Sequence, residues 1–353
     1  MPNWTKSMKQ TFEYYIVDPY TWKDKESLTT VIDSRVDIDS ESETRGSASF
    51  TTTTILGECY IRIYLITIQN GIKEKFPLGT YLVQTPSYSF DGKVMNVTLD
   101  AYTPLTELKE NKPTIGYYIP KGTNVMDTAY NMVNDHSRCP VVKPNDSECL
   151  FYDFVAEQDD SWITYINDLI NSVNYYIDLD ELGRVIFKPK QRTETLQPTW
   201  IYTDDNSSIL HPAVSLDNDL YGIPNIVEVI YSTDEYYIYS KVKNTDSDSP
   251  ISIVNRGREV IHRVTDPDIS GTPSQGKVDK YAEDLLKEMS SLQYSITYTH
   301  GYCPVKVGDC VLLNYKRVGL NNVKARVISQ SISCIPGTPV EEKVIFTIKL
   351  WGE

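Results

Sequence analysis

Histidine is scarce in this sequence and cysteine is dispersed. The 353 residues include only 4 histidines and 6 cysteines, and the cysteines form no closely spaced pairs. Histidine is the usual general base near neutral pH, and the two residue types together supply most transition-metal ligands. The chain therefore has little material for acid–base catalysis or a metal centre. We expect buried free thiols rather than disulfides, since no export signal is recognised.

Long apolar runs are also absent. No stretch reaches the ~18 consecutive apolar residues that a membrane-spanning helix needs. The N-terminal segment MPNWTKSMKQTFEYY has no apolar core and no small-residue cleavage site, as a signal peptide would have. We therefore expect no membrane span and synthesis in a cytoplasm.

The sequence has fewer basic than acidic residues. Lysine and arginine number 34 against 48 aspartates and glutamates, which gives a formal net charge of −14. Tight binding of DNA or RNA needs a basic face to neutralise phosphates, so this balance argues against it. An acidic wall repels phosphates, a useful property in a conduit through which DNA slides without sticking.

Tyrosine, in contrast, is abundant: 26 tyrosines stand against 8 phenylalanines. Tyrosine suits half-buried strand faces and packed interfaces, where the ring is covered and the hydroxyl stays wet. The chain is 40% hydrophobic, enough to bury a sizeable core, and its length predicts two or three domains. The composition favours a structural or binding protein.

Residues 1–110 predict a first β domain, a meander of short antiparallel strands typical of a barrel or sandwich. Turns are predicted at Gln69–Gly71 and at Phe90–Lys93. The predicted strands are rich in β-branched and aromatic residues, and they are Thr11–Val17, Ser47–Thr54, Cys59–Ile68, a strand ending near Phe76, Thr80–Thr85 and Val94–Ala101.

Residues 111–205 predict a small α+β insert. Thr123-Asn124 is a capping signal for a helix that ends near His136, and Asp159-Asp160-Ser161 is one for a second helix. A hairpin follows, with strands Tyr175–Leu179 and Arg184–Lys188. The second helix shows an apolar stripe at helical spacing, formed by Trp162, Ile166, Leu169, Ile170 and Val173.

Residues 206–353 predict a second β domain that contains a long helix over 275–292. Loops are predicted at Asn244–Pro250 and Asp266–Pro273. Short segments FPLGTYLV and VKVGDCVL share one pattern, which is either a trace of duplication or chance. The predicted strands are Ile226–Tyr231, Tyr236–Val242, Tyr294–His300, Cys310–Tyr315, Lys324–Ser333 and Val344–Trp351.

Candidate metal ligands do not assemble into a site. His136, Cys139 and Cys149 have no nearby fourth ligand, which a structural zinc site requires, and Cys303 and Cys310 stand alone. We expect no metal and no cofactor.

Candidate catalytic groups have simpler structural roles. The carboxylates Asp159-Asp160 are explained by a helix cap, and Asp178 with Asp180-Glu181 by a hairpin. His300 and Cys303 lie close in sequence without a recognisable protease motif. Arg256-Gly257-Arg258, near His262 and Arg263, is more typical of a solvated or subunit-contacting edge than of a nucleic-acid patch. No catalytic, cofactor-binding or metal residue is predicted, and we expect no enzyme.

The order of these elements resembles the baseplate hub family of phage tails, which includes the T4-like tail hub and the hubs of prophages and contractile bacteriocins. The resemblance spans nearly the whole chain. It rests on order and spacing, from the first meander with FPLGTYLV and FDGKVMNVTLDAYTPLTEL through DDSWITYINDLINSVNYYIDLDELGRVIFKP to IPNIVEVIY, VDKYAEDLLKEMSSLQYSITYTH and VKVGDCVLLNY.

The resemblance implies two tail-tube-like β-barrel domains around the α+β domain. It also implies a homotrimer with pseudo-sixfold symmetry that joins a hexameric tube to a trimeric central spike in the baseplate of a tail particle, and contacts other baseplate proteins. DNA would be only passing cargo. Such a protein would be made in the cytoplasm of a bacterial host.

Two alternatives stay open. One is a tail-associated cell-wall hydrolase, which requires a paired acid and base in a cleft. The other is a carbohydrate-binding attachment module, which requires aromatic platforms on the surface. The tyrosine pairs Tyr14-Tyr15, Tyr117-Tyr118 and Tyr236-Tyr237 could supply these, although neighbours in a strand point to opposite faces.

Overall fold

The computed structural model describes residues 2–90, 92–93, 95–205, 208–218, 220–232, 237–265, 267 and 274–351. None of the helices in these ranges is long and apolar enough to cross a membrane. The helices are α1 (Thr106–Glu110), α2 (Val125–His136), α3 (Trp162–Asn171), α4 (Ile253–Arg256) and α5 (Gln275–Met289).

The strands occupy most of the remaining described residues. In the first half of the sequence they are β1 (Lys9–Val17), β2 (Asp24–Ser27), β3 (Val31–Asp39), β4 (Gly46–Thr52), β5 (Tyr60–Gln69), β6 (Ile72–Phe90), β7 (Met95–Tyr102), β8 (Tyr118–Ile119), β9 (Phe154–Val155) and β10 (Tyr175–Leu179). In the second half they are β11 (Val185–Pro189), β12 (Pro198–Thr203), β13 (Leu210–Asn218), β14 (Ile226–Ser232), β15 (Tyr237–Lys243), β16 (Ile261–Thr265), β17 (Ser291–Gly301), β18 (Cys310–Asn314), β19 (Val323–Ser333) and β20 (Pro339–Lys349).

A single large sheet combines strands from both ends of the sequence. Its order is β13-β17-β20-β19-β3-β4-β7-β6-β5-β1-β2, and β12 joins it through β18, which pairs with β19. The two β-rich regions meet where β3 and β19 pair antiparallel, from Asp39 opposite Ser329 to Arg35 opposite Ser333. The predicted mainly β fold with an α+β insert is confirmed. Within the described residues this sheet is an open path of strands, with no closed barrel.

The chain divides into two compact units. Unit 1 comprises Met1–Val214 and Thr297–Val344, and unit 2 comprises Ser215–Ile296 and Ile345–Glu353. The predicted division into three domains, with boundaries after residues 110 and 205, stays a prediction.

The hairpin between β5 and β6 shows how local sequence sets the register. Asn70 and Gly71 both have positive φ angles, 52° and 80°, as a two-residue type I′ turn requires. Gly79 does not end β6 but pairs with Ile63 next to a β-bulge, in which Leu78 is the extra residue. Its φ is 140°, and a Cβ there would lie 2.5 Å from the Tyr81 hydroxyl oxygen. One 19-residue strand therefore replaces the two predicted strands. The predicted turn at Phe90–Lys93 includes Asp91, which lies outside the described residues.

The insert folds as its capping signals predict. The Asn124 side chain accepts a hydrogen bond from the backbone N of Asp127 at 2.7 Å, and Ser161 Oγ accepts one from Thr164 N at 3.2 Å. The inward faces of α2 and α3 pack in one core, to which Tyr60 and Leu82 of the first β region also belong. The insert therefore shares a core with the strands that precede it.

Unit 2 is a small two-layer structure. Its sheet has the order β15-β14-β16, and Val227 and Val229 of β14 pack against Val278, Ala282 and Leu286 of α5. The helix is three residues shorter than predicted, because the chain leaves helical geometry at Ser290 and enters β17. Apart from Pro267, the predicted loop over 266–273 lies outside the described residues.

We predict that Ser161→Ala lowers the free energy of unfolding by ~1 kcal/mol, because it removes the cap of α3. Urea denaturation followed by circular dichroism measures the change. The control is Ser147→Ala at an exposed position, which should change stability by less than ~0.5 kcal/mol. Equal stabilities of the two variants would contradict the capping role.

Candidate functional site

The candidate metal ligands lie in separate environments. His136 stacks on Trp162, with ring centroids 4.0 Å apart, while Cys149 is exposed. Burial raises the pKa of the Cys139 thiol to about 12, although a hydrogen bond between its side chain and that of Ser137 opposes this shift. Since metals bind the thiolate, that site disfavours a ligand role. The described residues contain no group of histidines, cysteines and carboxylates able to hold a metal ion, and the six cysteines are free.

The candidate catalytic carboxylates have structural partners. Asp160 accepts a hydrogen bond from Glu157 N at 2.7 Å beside the α3 cap, and Asp178 pairs with Lys188 at 2.7 Å. Asp180 accepts hydrogen bonds from the backbone of Leu182 and Arg184, each at 2.9 Å, and so forms the β10–β11 turn. Glu181 pairs with Lys306.

A buried polar cluster, the His300 cluster, lies inside unit 1. It consists of Tyr202, Tyr298, His300, Cys303, Gln330 and Glu342, all at most 5% exposed. Tyr298 donates to one oxygen of Glu342 at 2.5 Å and Gln330 donates to the other at 2.6 Å. The Nε2 atom of His300 lies 3.1 Å from the Tyr202 hydroxyl and 3.4 Å from Glu342 Oε2.

This cluster holds a charged histidine. Burial alone lowers the pKa of His300, but hydrogen bonds with Cys303 and Glu342 and the Glu342 charge outweigh burial and raise the pKa to about 10. The imidazolium donates from Nδ1 to the carbonyl oxygen of Gly301 at 2.7 Å. His300 and Glu342 are both 0% exposed. The histidine and carboxylate therefore form a buried ion pair beside Cys303, without access for a substrate.

Sequence reasoning did not find this cluster, although one signal was available. Val340, Glu342, Val344 and Phe346 alternate along β20 and all point inward. A carboxylate at an inward position of an otherwise apolar strand face indicates a buried charge that needs a partner.

A second buried charge anchors the insert. Three donors converge on the carbonyl oxygen of Leu182: Trp22 Nε1 at 2.8 Å, Thr80 Oγ1 at 2.9 Å and Arg62 Nη2 at 3.1 Å. The Arg62 side chain is 4% exposed, and its Nη1 pairs with Asp24 at 2.9 Å. The tip of the β10–β11 hairpin is thereby fixed to β5 and β6.

Close packing completes this anchor. Gly183 has φ 74°, and a Cβ there would lie 2.7 Å from the Thr80 side chain. Arg45 supplies a second attachment, since its Nε donates to the carbonyl oxygen of Ile177 in β10 at 2.9 Å. Arg62 is the lone charge in the run CYIRIYLITI, and this isolation is the sequence signal of its burial.

The basic stretch of unit 2 makes contacts within the chain. Arg256 donates to the carbonyl oxygens of Ile223 at 2.7 Å and Leu220 at 3.1 Å. Arg263 pairs with Glu228 at 2.7 Å. These two arginines therefore stabilise unit 2.

The tyrosine pairs divide between core and surface. In the first pair, Tyr14 is buried. In the second pair, Tyr117 packs edge-on against Trp162, whereas Tyr118 is 57% exposed. Tyr237 is 72% exposed, and Tyr236 lies outside the described residues. Elsewhere in the insert, Phe151 and Tyr152 are 91% and 73% exposed.

Comparison with solved structures identifies the fold. The chain superposes on a tail protein from Neisseria meningitidis MC58 with a TM-score of 0.62 and 12% identity, over 95% of this chain and 97% of that one. A 43 kDa tail protein of prophage MuSo2 from Shewanella oneidensis gives a TM-score of 0.61 and 12% identity, over 95% and 98%. No family model and no curated protein matches the sequence.

A third structure extends the comparison to a protein complex from Francisella. A chain of the Francisella PdpA-VgrG complex superposes with a TM-score of 0.59 and 8% identity, over 96% of this chain and 58% of that chain. The chain therefore has the fold of phage tail proteins, shared with this complex, and the resemblance drawn from the order of its elements is confirmed at the level of the fold.

We predict that Arg62→Met lowers the free energy of unfolding by ~3 kcal/mol, because Asp24 and the Leu182 carbonyl lose a buried partner. Hydrogen exchange should accelerate most in the β10–β11 hairpin. The control is Arg35→Met, which removes a half-exposed ion pair with Asp37 and should cost less than ~1 kcal/mol. Unchanged hairpin exchange in the Arg62 variant would contradict the anchor.

The His300 cluster gives a pH prediction. A histidine with a folded-state pKa of about 10 and an ordinary value of 6.5 adds stability below pH 6.5, and that stability is lost as the pH rises through 10. Glu342→Gln should lower the free energy of unfolding by ~3 kcal/mol at pH 6 and by much less above pH 10. Denaturation at both pH values measures this, with exposed Glu341→Gln as control. A loss independent of pH would contradict the ion pair.

Proposed function

We propose that this protein is the structural hub of a phage tail or contractile injection particle. The observation that carries the proposal is the superposition of at least 95% of the chain on tail proteins of similar length. The superposed Francisella chain, from a complex that contains VgrG, is consistent with a place in a baseplate.

In this proposal three copies form a ring with pseudo-sixfold symmetry. The ring joins a hexameric tail tube on one side to a trimeric central spike on the other, contacts other baseplate proteins and lines the channel between them. The net charge of −14 supports a channel through which DNA passes without binding, because acidic walls repel phosphates. The protein is made in the host cytoplasm and acts in the assembled particle.

The function requires rigidity rather than turnover, and we propose that the protein is not an enzyme. A ring that transmits force between tube and spike needs subdomains that do not shift against each other. The Arg62 anchor and the His300 cluster supply that rigidity within unit 1, because breaking either would leave a buried charge unpaired.

A carbohydrate-binding role is the second candidate. It is favoured by the exposed aromatic side chains Tyr118, Phe151 and Tyr152 of the insert, since sugars stack on such rings. Binding of host cell-wall glycan by the native protein, lost in the double variant Phe151→Ala and Tyr152→Ala, would support this role. A hydrolase has no comparable support, because the His300 cluster is closed to substrate.

The hub proposal predicts the molar mass of the purified protein. Light scattering after size exclusion, alone and with the proteins encoded beside it, should give about three times the 40.3 kDa chain mass or a larger ring with tube or spike protein. A monomer that trimerises only with a partner agrees with the proposal. A monomer that ignores each tail neighbour would contradict it.

A further inference from the structure

Strand β6 is longer than its neighbours, and its far end projects. Pairing with β5 covers β6 only from Ile72 to Leu82, after which Val83 N donates to the carbonyl oxygen of Cys59. The remainder pairs with β7 alone, and β7 in turn pairs with β4 only from Val97 onward. Beyond Val83, β6 therefore has one unpaired edge, and only its last two pairs with β7, Ser89 with Asn96 and Phe90 with Met95, extend past β4. We call residues 85–90 and 95–96 the β6–β7 ribbon.

This ribbon exposes aromatic side chains. Residues 87–90 of β6 are all exposed, with Tyr88 at 68% and Phe90 at 64%. Pro86 has no N–H, so the free backbone edge comprises Ser87–Phe90. An isolated two-stranded ribbon is only marginally stable in water, and an unpaired strand edge readily accepts another strand.

The edges of the large sheet differ in how they are protected. Within the described residues the outer strands are β2, β13 and β12. All four residues of β2 are exposed and three of them are charged, and β13 contains Pro212, so both edges resist pairing. Strand β12 has proline only at its first residue, carries no charge and leaves Ile201 56% exposed.

The distribution of charge in the chain favours a contact between these two elements in neighbouring copies. Two copies of a chain with net charge −14 repel each other, so a contact between copies is most favourable where neither surface is charged. The ribbon strand, residues 85–90 (TPSYSF), and β12 (PTWIYT) have no charged side chain. Both lie in unit 1, and each copy carries one of each.

We propose that the β6–β7 ribbon of one copy pairs with the free edge of β12 in the next copy. The two surfaces are different, so the contact is head-to-tail and closes into a ring when the rotation permits. The inference rests on the proposed ring-forming function and adds the elements that build the interface: Tyr88 and Phe90 on one side and Ile201 on the other.

Removing the apolar contacts tests the inference by molar mass. The double variant Tyr88→Ser and Phe90→Ser, and separately Ile201→Lys, should shift the mass from that of the ring to that of one chain at equal concentration. The controls are Tyr20→Ser and Ile55→Lys, which change side chains that are 92% and 55% exposed elsewhere in unit 1. Both controls should keep the ring.

Cross-linking between copies keeps the test valid should a variant fold poorly. In a Cys149→Ser background, protein with Phe90→Cys is mixed with protein with Ile201→Cys under mild oxidation, in the presence of the tail neighbours if these are needed for assembly. We expect a covalent product of two chains that neither protein gives alone. Tyr20→Cys mixed with Ile201→Cys should give none.

The outcomes separate this inference from the proposed function. A ring that persists in the ribbon and Ile201 variants, with no specific cross-link, would overturn the interface while leaving the hub proposal intact. A native protein that never assembles would overturn both.

Discussion

The Arg62 guanidinium, enclosed between strands β5 and β6 and the hairpin of the insert, is the contact on which the arrangement of unit 1 depends. A buried guanidinium is costly unless a countercharge and acceptors surround it. Asp24 provides the countercharge, and the Thr80 hydroxyl together with the carbonyl oxygens of Trp22 and Leu182 accepts the other hydrogen bonds. Since Leu182 lies 120 positions away in the sequence, satisfying this one charge forces the insert onto the first β region.

A second long-range constraint connects the ends of the chain. Pairing between β3 and β19 joins residues about 290 positions apart, and the hydroxyl of Ser331 donates to Asp37 across the same pair. Such contacts are expensive in chain entropy and are compensated only when the complete sheet forms. We therefore expect this unit to unfold cooperatively.

Local features were predictable from the sequence and long-range features were not. The caps at Asn124 and Ser161, the Asn70-Gly71 turn and the apolar stripe of α3 are encoded within a few residues, and all four are present. Strand β2 was not predicted because its four residues are all polar and exposed. Strand β3 was not predicted because aspartate, serine and arginine interrupt its apolar residues, and both strands take their geometry from their neighbours. The predicted range of α5 was too long at its C-terminal end. Leu292 continues the apolar spacing of the helix but belongs to strand β17.

The sequence likewise indicates the two buried charges but not their partners. Arg62 and Glu342 each interrupt an apolar strand, which the sequence shows, but their partners lie up to 120 and 44 positions away. The irregular segment after β17 brings Cys303 Sγ to 3.9 Å from His300 Nδ1, a contact that their sequence separation alone does not predict. Pairing of such groups is a property of the folded sheet.

These features together describe an acidic protein with the fold of tail proteins. We propose that it is a rigid subunit of the tail. Electron cryomicroscopy of intact tail particles tests this account most directly, because it shows where the subunit lies and how many copies surround the channel. The account predicts three copies in one ring between tube and spike, with acidic side chains toward the lumen. A single copy, or a position on the outside of the particle away from the channel, would contradict it.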